Sequence, residues 1–136
     1  MPIKLLLVDD AEVIRRSIRS LLADESQIEI VGEATSHVEA LEIASRLKPD
    51  VVLMDLHLPD RDETDPSSIK ASFAAQGCQI IAISIFSDDE TQALAKDLGA
   101  ALLLEKPMLG TELLPTILQM SQRGILSPNS QFGVAS

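Results

Sequence analysis

The nine residues VVLMDLHLP, at positions 51–59, give the clearest indication of the fold class. The first four are apolar with no polar alternation, which is typical of a strand buried on both faces of a parallel sheet. A carboxylate, Asp55, follows this strand directly. Near the amino terminus, LLLVDD at positions 5–10 has the same arrangement, an apolar run followed by acids. Together the two segments predict parallel strands with polar side chains at one edge of the sheet.

Similar apolar runs alternate with amphipathic stretches along the chain, which is the pattern of successive βαβ units. We predict five strands, at 3–8, 28–34, 51–54, 79–83 and 101–104. The predicted fold is α/β, a single doubly wound parallel sheet with helices on both faces. Helical periodicity is lost in RGILSPNSQFGVAS, so we expect one domain over 1–122 and a flexible tail or linker remnant over 123–136.

Length, charge and composition exclude several classes of function. A chain of 136 residues suits one domain, and its net charge of −10 opposes binding to nucleic acid or to an anionic membrane. The aromatic content is 2%, all of it Phe, which disfavours stacking on bases. The apolar runs are too short to span a membrane. A single cysteine, Cys78, expected to be buried and inert, and the lack of a secretion signal favour a cytoplasmic location.

The spacing of apolar residues predicts the buried face of each helix. In the first helix these residues are Val13, Ile14, Ile18, Leu21 and Leu22, and in the second Val38, Leu41, Ile43 and Leu47. Capping boxes at Ser36 with Glu39 and at Ser87 with Glu90 should open the second and fourth helices. His37, beside the first of these caps, is expected to be solvated.

Proline positions predict two further helix boundaries. Asp65 and Pro66 are the expected N-cap and first residue of the third helix. The last helix is predicted over 111–122, with Pro115 within or just after its first turn, where the missing N–H costs little.

Polar side chains follow four of the predicted strands: Asp9 and Asp10, Asp55, Ser84 and Lys106. Because the carboxyl ends of parallel strands meet at one edge of the sheet, these side chains should converge. Clustered carboxylates repel each other unless a cation joins them, and hard oxygen ligands suit Mg²⁺. A carboxylate beside Mg²⁺, an ammonium and a hydroxyl is equipped to attack phosphorus. The predicted product of that attack is an acyl phosphate.

The segments LLLVDD, VVLMDLHLP, IIAIS and the EKP after GAALLL resemble the receiver domain of bacterial two-component response regulators. The resemblance covers roughly residues 2 to 122, and it is greatest to the receivers of LuxR- and NarL-type regulators, which precede a helix-turn-helix domain. It implies a flavodoxin-like fold with strand order 2-1-3-4-5. It also implies a phosphoryl group donated by a sensor histidine kinase. Such a protein catalyses only its own phosphorylation and dephosphorylation, so it is not an enzyme with a free substrate.

The resemblance assigns the acids to a phosphorylation and Mg²⁺ site. Asp55 is the expected phosphoacceptor and a metal ligand, Asp10 a direct metal ligand, and Asp9 a ligand that acts through water. The backbone carbonyl of His57 is the third expected protein ligand. The side chain of His57 is expected only to line the cleft.

The remaining roles concern the conformational switch. Ser84 matches the switch hydroxyl, and Lys106 matches the lysine that pairs with the phosphoryl group, with a cis bond expected before Pro107. Three positions depart from the family pattern. Leu103 stands where an aromatic ring usually swings inward, and Glu63 replaces a glycine after the phosphorylation loop. Ile85 replaces a small residue next to Ser84. The acidic segment 60–65 is then either a solvated face or a surface that a partner recognises.

The expected partners are a sensor kinase and an output protein or a helix-turn-helix domain outside these residues. The chain is either a receiver cut from a longer regulator or a stand-alone protein with a linker remnant. A homodimer through helices 1 and 5 or helices 4 and 5 is a further expectation. An alternative function is a phosphorylation-independent binding module. A phosphatase of the haloacid dehalogenase type would need an acid at His57, and a flavin site would need aromatic loops.

Overall fold

The structure, a computed structural model, describes residues 2–122, so the predicted tail lies outside the described residues. The strands are β1 (Ile3–Val8), β2 (Ile28–Ala34), β3 (Val51–Asp55), β4 (Gln79–Ser84) and β5 (Ala100–Glu105). The helices are α1 (Glu12–Leu22), α2 (His37–Leu47), α3 (Pro66–Ala75), α4 (Asp89–Asp97) and α5 (Leu109–Gln122). Short 3₁₀ helices cover Arg61–Glu63 and Lys106–Met108. No helix in this part of the chain is long and apolar enough to cross a bilayer.

Within residues 2–122 the strands form one parallel sheet in the order β2-β1-β3-β4-β5, as predicted. Alternate residues of β1 face opposite layers, Leu6 and Val8 toward α2, α3 and α4, and Leu5 and Leu7 toward α1 and α5. The fold is therefore the doubly wound, flavodoxin-like arrangement. β3 and β4 each extend one residue beyond their predicted ends, so Asp55 and Ser84 are the last residues of these strands.

The predicted buried faces of α1 and α2 are partly wrong, because three of the residues placed on them are exposed. Val13 is 65% exposed and Val38 is 62% exposed, and Leu47 is also largely exposed. The buried residues of α2 are instead His37, Ala40 and Ala44. Gly32 of β2 lets Ile43 of α2 pack close to the sheet, because a Cβ added at Gly32 would meet Ile43 Cγ2 at 3.1 Å.

His37 is buried, not solvated, because it pairs with the loop that follows β3. Its ring Nδ1 lies 3.0 Å from Oδ1 of Asp60, and the same carboxylate accepts the backbone N–H groups of His37 and Val38 at 2.9 Å and 3.1 Å. Ser36 Oγ accepts the N–H of Glu39, as the capping box predicted. Asp60 and Ser36 together therefore satisfy the first three free N–H groups of α2.

Other helix boundaries also differ from prediction. The N-cap of α4 is Asp88, whose carboxylate accepts the Thr91 N–H at 2.9 Å, and not Ser87. α5 begins at Leu109 because the 3₁₀ turn before it, with Pro107 near its start, runs straight into the helix. Pro115 therefore lies beyond the first turn of α5, on its exposed face. Because proline has no N–H, the carbonyl four residues earlier lacks its helical donor, and water can reach it there. The predicted cap at Asp65 and first residue Pro66 of α3 are confirmed.

The expected cis bond before Pro107 is wrong. All peptide bonds of the described chain are trans, including the one between Lys106 and Pro107. The trans bond suits Pro107 as a residue of the 3₁₀ helix Lys106–Met108, in which the fixed φ of proline is already close to the helical value.

We predict that Asp60→Ala lowers the free energy of unfolding by about 1–3 kcal/mol, because two helix N–H groups and a buried imidazole lose their acceptor. Asp62→Ala is the matched control, since the Asp62 side chain is 92% exposed in the same loop. Urea unfolding of both variants and of the wild type measures the difference. An equal effect of the two substitutions would contradict the capping role.

The effect of Asp60 should also depend on pH. Partial burial favours its neutral form, but the N–H groups of His37 and Val38 and the His37 ring outweigh burial and lower the pKa of Asp60. A lowered native pKa gives stability that is present above the ordinary carboxyl range and is lost as the pH falls through the native value. The difference between wild type and Asp60→Ala should therefore shrink in acid, as unfolding at a series of pH values will show.

Candidate functional site

Three aspartates converge at the carboxyl edge of the sheet. One carboxylate oxygen each from Asp9, Asp10 and Asp55 lies within 4.8 Å of the others. Asp9 and Asp55 are 1% and 2% exposed, whereas Asp10 is open to solvent. The adjacency of β1 and β3 in the sheet produces this cluster, because both strands end in an acid at the same edge.

Lys106 places its ammonium between two of these acids. Its Nζ lies 2.9 Å from Oδ2 of Asp9 and 3.5 Å from Oδ2 of Asp55. Burial alone would lower the pKa of Lys106, but the neighbouring carboxylates of Asp9 and Asp55 outweigh burial and raise it. Lys106 is therefore a fixed positive charge in the site.

Asp55 is held in an unfavourable environment for a carboxylate. Burial raises its pKa most strongly, and the charge of Asp9 raises it further. The backbone N–H of His57, which donates to Oδ1 at 3.1 Å, and the ammonium of Lys106 oppose this shift but do not cancel it. The site therefore favours any ligand that brings positive charge close to Asp55.

The two carboxylate oxygens of Asp9 have different roles: one accepts a backbone hydrogen bond, and the other faces the acid cluster and Lys106. Oδ1 accepts the backbone N–H of Ala11 at 2.8 Å. Oδ2 is buried and receives no well-directed hydrogen bond from the described residues, although the Lys106 ammonium is near enough to pair with it by charge. A buried carboxylate oxygen without a hydrogen bond, beside two more carboxylates, has the donor set of a divalent cation such as Mg²⁺. The side chains of Asp9, Asp10 and Asp55 therefore fit a metal.

Ser84, fully buried at the end of β4, lies beside this cluster with two polar neighbours. Its Oγ accepts the backbone N–H of Phe86 at 3.1 Å, and Nε2 of His57 is 3.3 Å away. The other ring nitrogen of His57, Nδ1, lies 3.1 Å from Nη1 of Arg61. The His57 side chain thus does more than line the cleft, and Arg61 was missed from the sequence. A basic residue four positions after a histidine in a loop gives no periodic signal.

Arg15 is a second residue that the sequence did not indicate. Its Nη1 donates to the backbone carbonyl of Asp9 at 2.6 Å. Its Nε donates to Glu33 of β2 at 2.9 Å, and Arg19 pairs with the same carboxylate. Arg15 therefore ties the loop that carries Asp9 to α1 and β2.

Leu103 and Glu63, which depart from the family pattern, lie within β5 and in the loop after β3. Leu103 is half-buried in β5 and lines a surface cleft of about 330 Å³ with Ser87 and Gln92. Glu63 is exposed in the 3₁₀ helix after β3. Cys78 is buried as predicted, and burial raises the pKa of its thiol to about 12, which keeps it protonated.

Comparison with known proteins agrees with this geometry. The family model of the response regulator receiver domain matches residues 5–118. The chain is 37% identical over 117 residues to the transcriptional regulatory protein PdtaR of Mycobacterium tuberculosis, covering 86% of this chain and 56% of PdtaR. It is 38% identical over 99 residues to the response regulator protein VraR of Staphylococcus aureus, covering 73% and 47%. The chain therefore spans about half the length of these relatives.

A solved structure shows the same fold. The signal receiver domain of the response regulator NarL from Mycobacterium tuberculosis superimposes with a TM-score of 0.77 at 24% identity, covering 89% of this chain and 97% of that one. With the family model matched over most of the described residues, the chain belongs to the response regulator receiver domains of two-component systems.

Proposed function

We propose that Asp55 accepts a phosphoryl group from the phosphohistidine of a sensor histidine kinase in a Mg²⁺-dependent reaction, and that the phosphorylated chain changes conformation to control an output partner. The observation that carries the proposal is the placement of Lys106 between two of three clustered carboxylates, beside the buried hydroxyl of Ser84. The set combines a nucleophile, a positive charge and a hydrogen-bond donor at one sheet edge.

The two oxygens of Asp55 are suited to different tasks. Oδ1 accepts the His57 N–H, which orients the carboxylate, while Oδ2 faces Lys106. In the proposed reaction, a carboxylate oxygen forms a bond to phosphorus as the P–N bond breaks, and the imidazole leaves with the electron pair of that bond. The Lys106 ammonium neutralises charge on the phosphoryl oxygens, and the Ser84 hydroxyl donates a hydrogen bond to one of them.

Asp9, Asp10 and Asp55, with the backbone carbonyl of His57, are the proposed holders of Mg²⁺. When bound, Mg²⁺ would supply positive charge that offsets the carboxylates and the incoming phosphoryl oxygens. The buried Oδ2 of Asp9, which receives no well-directed hydrogen bond from the described residues, supports this assignment. The domain boundary at residue 122, the cytoplasmic location and the lack of direct nucleic-acid binding are further parts of the proposal.

Receiver domains are signalling modules that work with sensor kinases and output domains, and residues 5–118 of this chain match the receiver domain. The output is proposed to lie in a partner or in sequence outside this chain, because the matched segments cover only 56% and 47% of these relatives. Dimerisation through α1 and α5 or through α4 and α5 is part of this proposal. Leu103 lacks the usual ring, so the conformational change must be transmitted by other groups near Ser84.

Phosphorylation is expected on Asp55 alone. Incubation with Mg²⁺ and acetyl phosphate, or with a phosphorylated kinase, should add the mass of one phosphoryl group, as measured by intact-mass spectrometry. Asp55→Ala should abolish the gain, and Lys106→Ala should slow it by about 10²-fold because a charge on the transferring group is lost. Asp62→Ala is the control acid. No gain with either donor, or a gain that persists in Asp55→Ala, would contradict the proposal.

The repulsion at the site predicts a stability change. Asp55→Asn should raise the free energy of unfolding without Mg²⁺ by about 1 kcal/mol, because it removes a buried charge beside Asp9. With Mg²⁺ the wild type should become the more stable of the two, since a cation at 100 times its Kd raises its free energy of unfolding by about 2.7 kcal/mol and that of the variant by much less. Thermal unfolding with and without Mg²⁺ measures both effects. Equal Mg²⁺ stabilisation of the two proteins would place the metal elsewhere.

A further inference from the structure

The hydrogen bonds around Ser84 specify the direction in which its hydroxyl donates. Two groups reach the Ser84 oxygen, the backbone N–H of Phe86 at 3.1 Å and Nε2 of His57 at 3.3 Å. The contact between Arg61 and the other ring nitrogen of His57 decides which nitrogen donates and which accepts. Nη1 of Arg61 lies 3.1 Å from Nδ1 of His57.

A guanidinium group has donors and no acceptor, so Nδ1 of His57 must accept from Arg61. A neutral imidazole that accepts at Nδ1 carries its proton at Nε2. Nε2–H then donates to the Ser84 oxygen. The opposite tautomer would set an N–H of Arg61 against the N–H of Nδ1, which is repulsive.

With N–H donors from Phe86 and His57, both lone pairs of the Ser84 oxygen are occupied. The hydroxyl proton is then the only remaining hydrogen-bonding capacity of Ser84. It is free to donate. Because β3 pairs with β4 and the two strands end in Asp55 and Ser84, a phosphoryl group held on Asp55 would offer an acceptor at the same sheet edge.

We propose that Arg61, acting through His57, holds the Ser84 hydroxyl as a donor toward the phosphoryl group. This inference rests on the proposed phosphorylation of Asp55. Arg61 and His57 are positioning residues in this scheme, because they act on the phosphoryl group only through Ser84. We call the hydrogen-bonded chain from Arg61 through His57 to Ser84 the Arg-His-Ser relay.

The relay is anchored by the same loop that forms the site. The backbone N–H of His57 is bound to Asp55, and the N–H of Arg61 donates to the carbonyl of the buried Leu58 at 3.1 Å. The residue before Arg61, Asp60, is clamped to the start of α2. Arg61 is therefore presented to His57 by a loop that is held at both ends.

The tautomer of His57 gives a test that does not depend on phosphorylation. In ¹⁵N NMR of the neutral imidazoles, His57 should show an unprotonated Nδ1 and a protonated Nε2. Arg61→Gln should shift the ring toward a mixture of tautomers. The chain has two histidines, His37 and His57, so the imidazole signals that disappear in His57→Gln belong to His57. An Nδ1-protonated ring in the wild type, or no response to Arg61→Gln, would overturn the relay.

Binding of beryllofluoride with Mg²⁺ tests the effect on Ser84. His57→Leu removes the donor and should weaken binding about tenfold, the scale of one lost hydrogen bond. His57→Gln, whose amide nitrogen reaches about as far as Nε2, should recover most of that loss. In a Ser84→Ala background, His57→Leu should have no further effect, because the group it acts on is absent.

The possible failures are distinguishable. If the wild type neither gains a phosphoryl group nor binds beryllofluoride, the proposed function fails whatever the tautomer of His57. If the wild type does both, and His57→Leu weakens binding equally in the wild-type and the Ser84→Ala backgrounds, the relay fails and the proposed function stands. Circular dichroism of each variant shows that it is folded.

Discussion

Three carboxylates held within 4.8 Å of one another place more negative charge at one sheet edge than a single ammonium balances. The acids cannot separate, because Asp9 and Asp55 follow adjacent buried strands and are themselves almost fully buried. Burial, and after it the charge of Asp9, raises the pKa of Asp55. The fold therefore maintains an electrostatic imbalance that a cation and an incoming phosphoryl group together can relieve. A chain that is acidic overall thus concentrates part of its charge for one purpose.

The loop after β3 connects this imbalance to the rest of the molecule. Its first residues orient Asp55 through the His57 N–H, while Asp60 satisfies the N-terminal N–H groups of α2. Between these anchors, Arg61 contacts the ring that reaches Ser84. On the opposite side, Arg15 holds the backbone at Asp9 to α1 and β2. The loop that carries Asp9 and the loop that follows Asp55 are thereby each bonded to a helix.

The sheet and the acid site were predictable, and the side-chain contacts between loops were not. Buried parallel strands leave continuous apolar runs, and an acid at the end of each run places it at the sheet edge. Helix faces were less certain, because Val13 and Val38 fit an apolar stripe and yet are exposed. His37 was expected in solvent because its partner, Asp60, is distant in sequence. Arg15 was missed for the same reason, because its partner Glu33 lies 18 residues away. Arg61 was missed because a residue four positions from its partner in a loop gives no periodic signal. The bond before Pro107, expected cis from family resemblance, is trans because a 3₁₀ helix begins there.

Calorimetric titration with Mg²⁺, repeated across pH, measures whether the three carboxylates are gathered for a cation. We expect one site that requires Asp9, Asp10 and Asp55, with protons released on binding and affinity falling as the pH drops toward the raised pKa of Asp55. Asp10→Asn should weaken binding at least tenfold, because a hard anionic ligand is lost. Binding that is independent of pH and unchanged by Asp10→Asn would contradict the claim that these carboxylates are gathered for a cation.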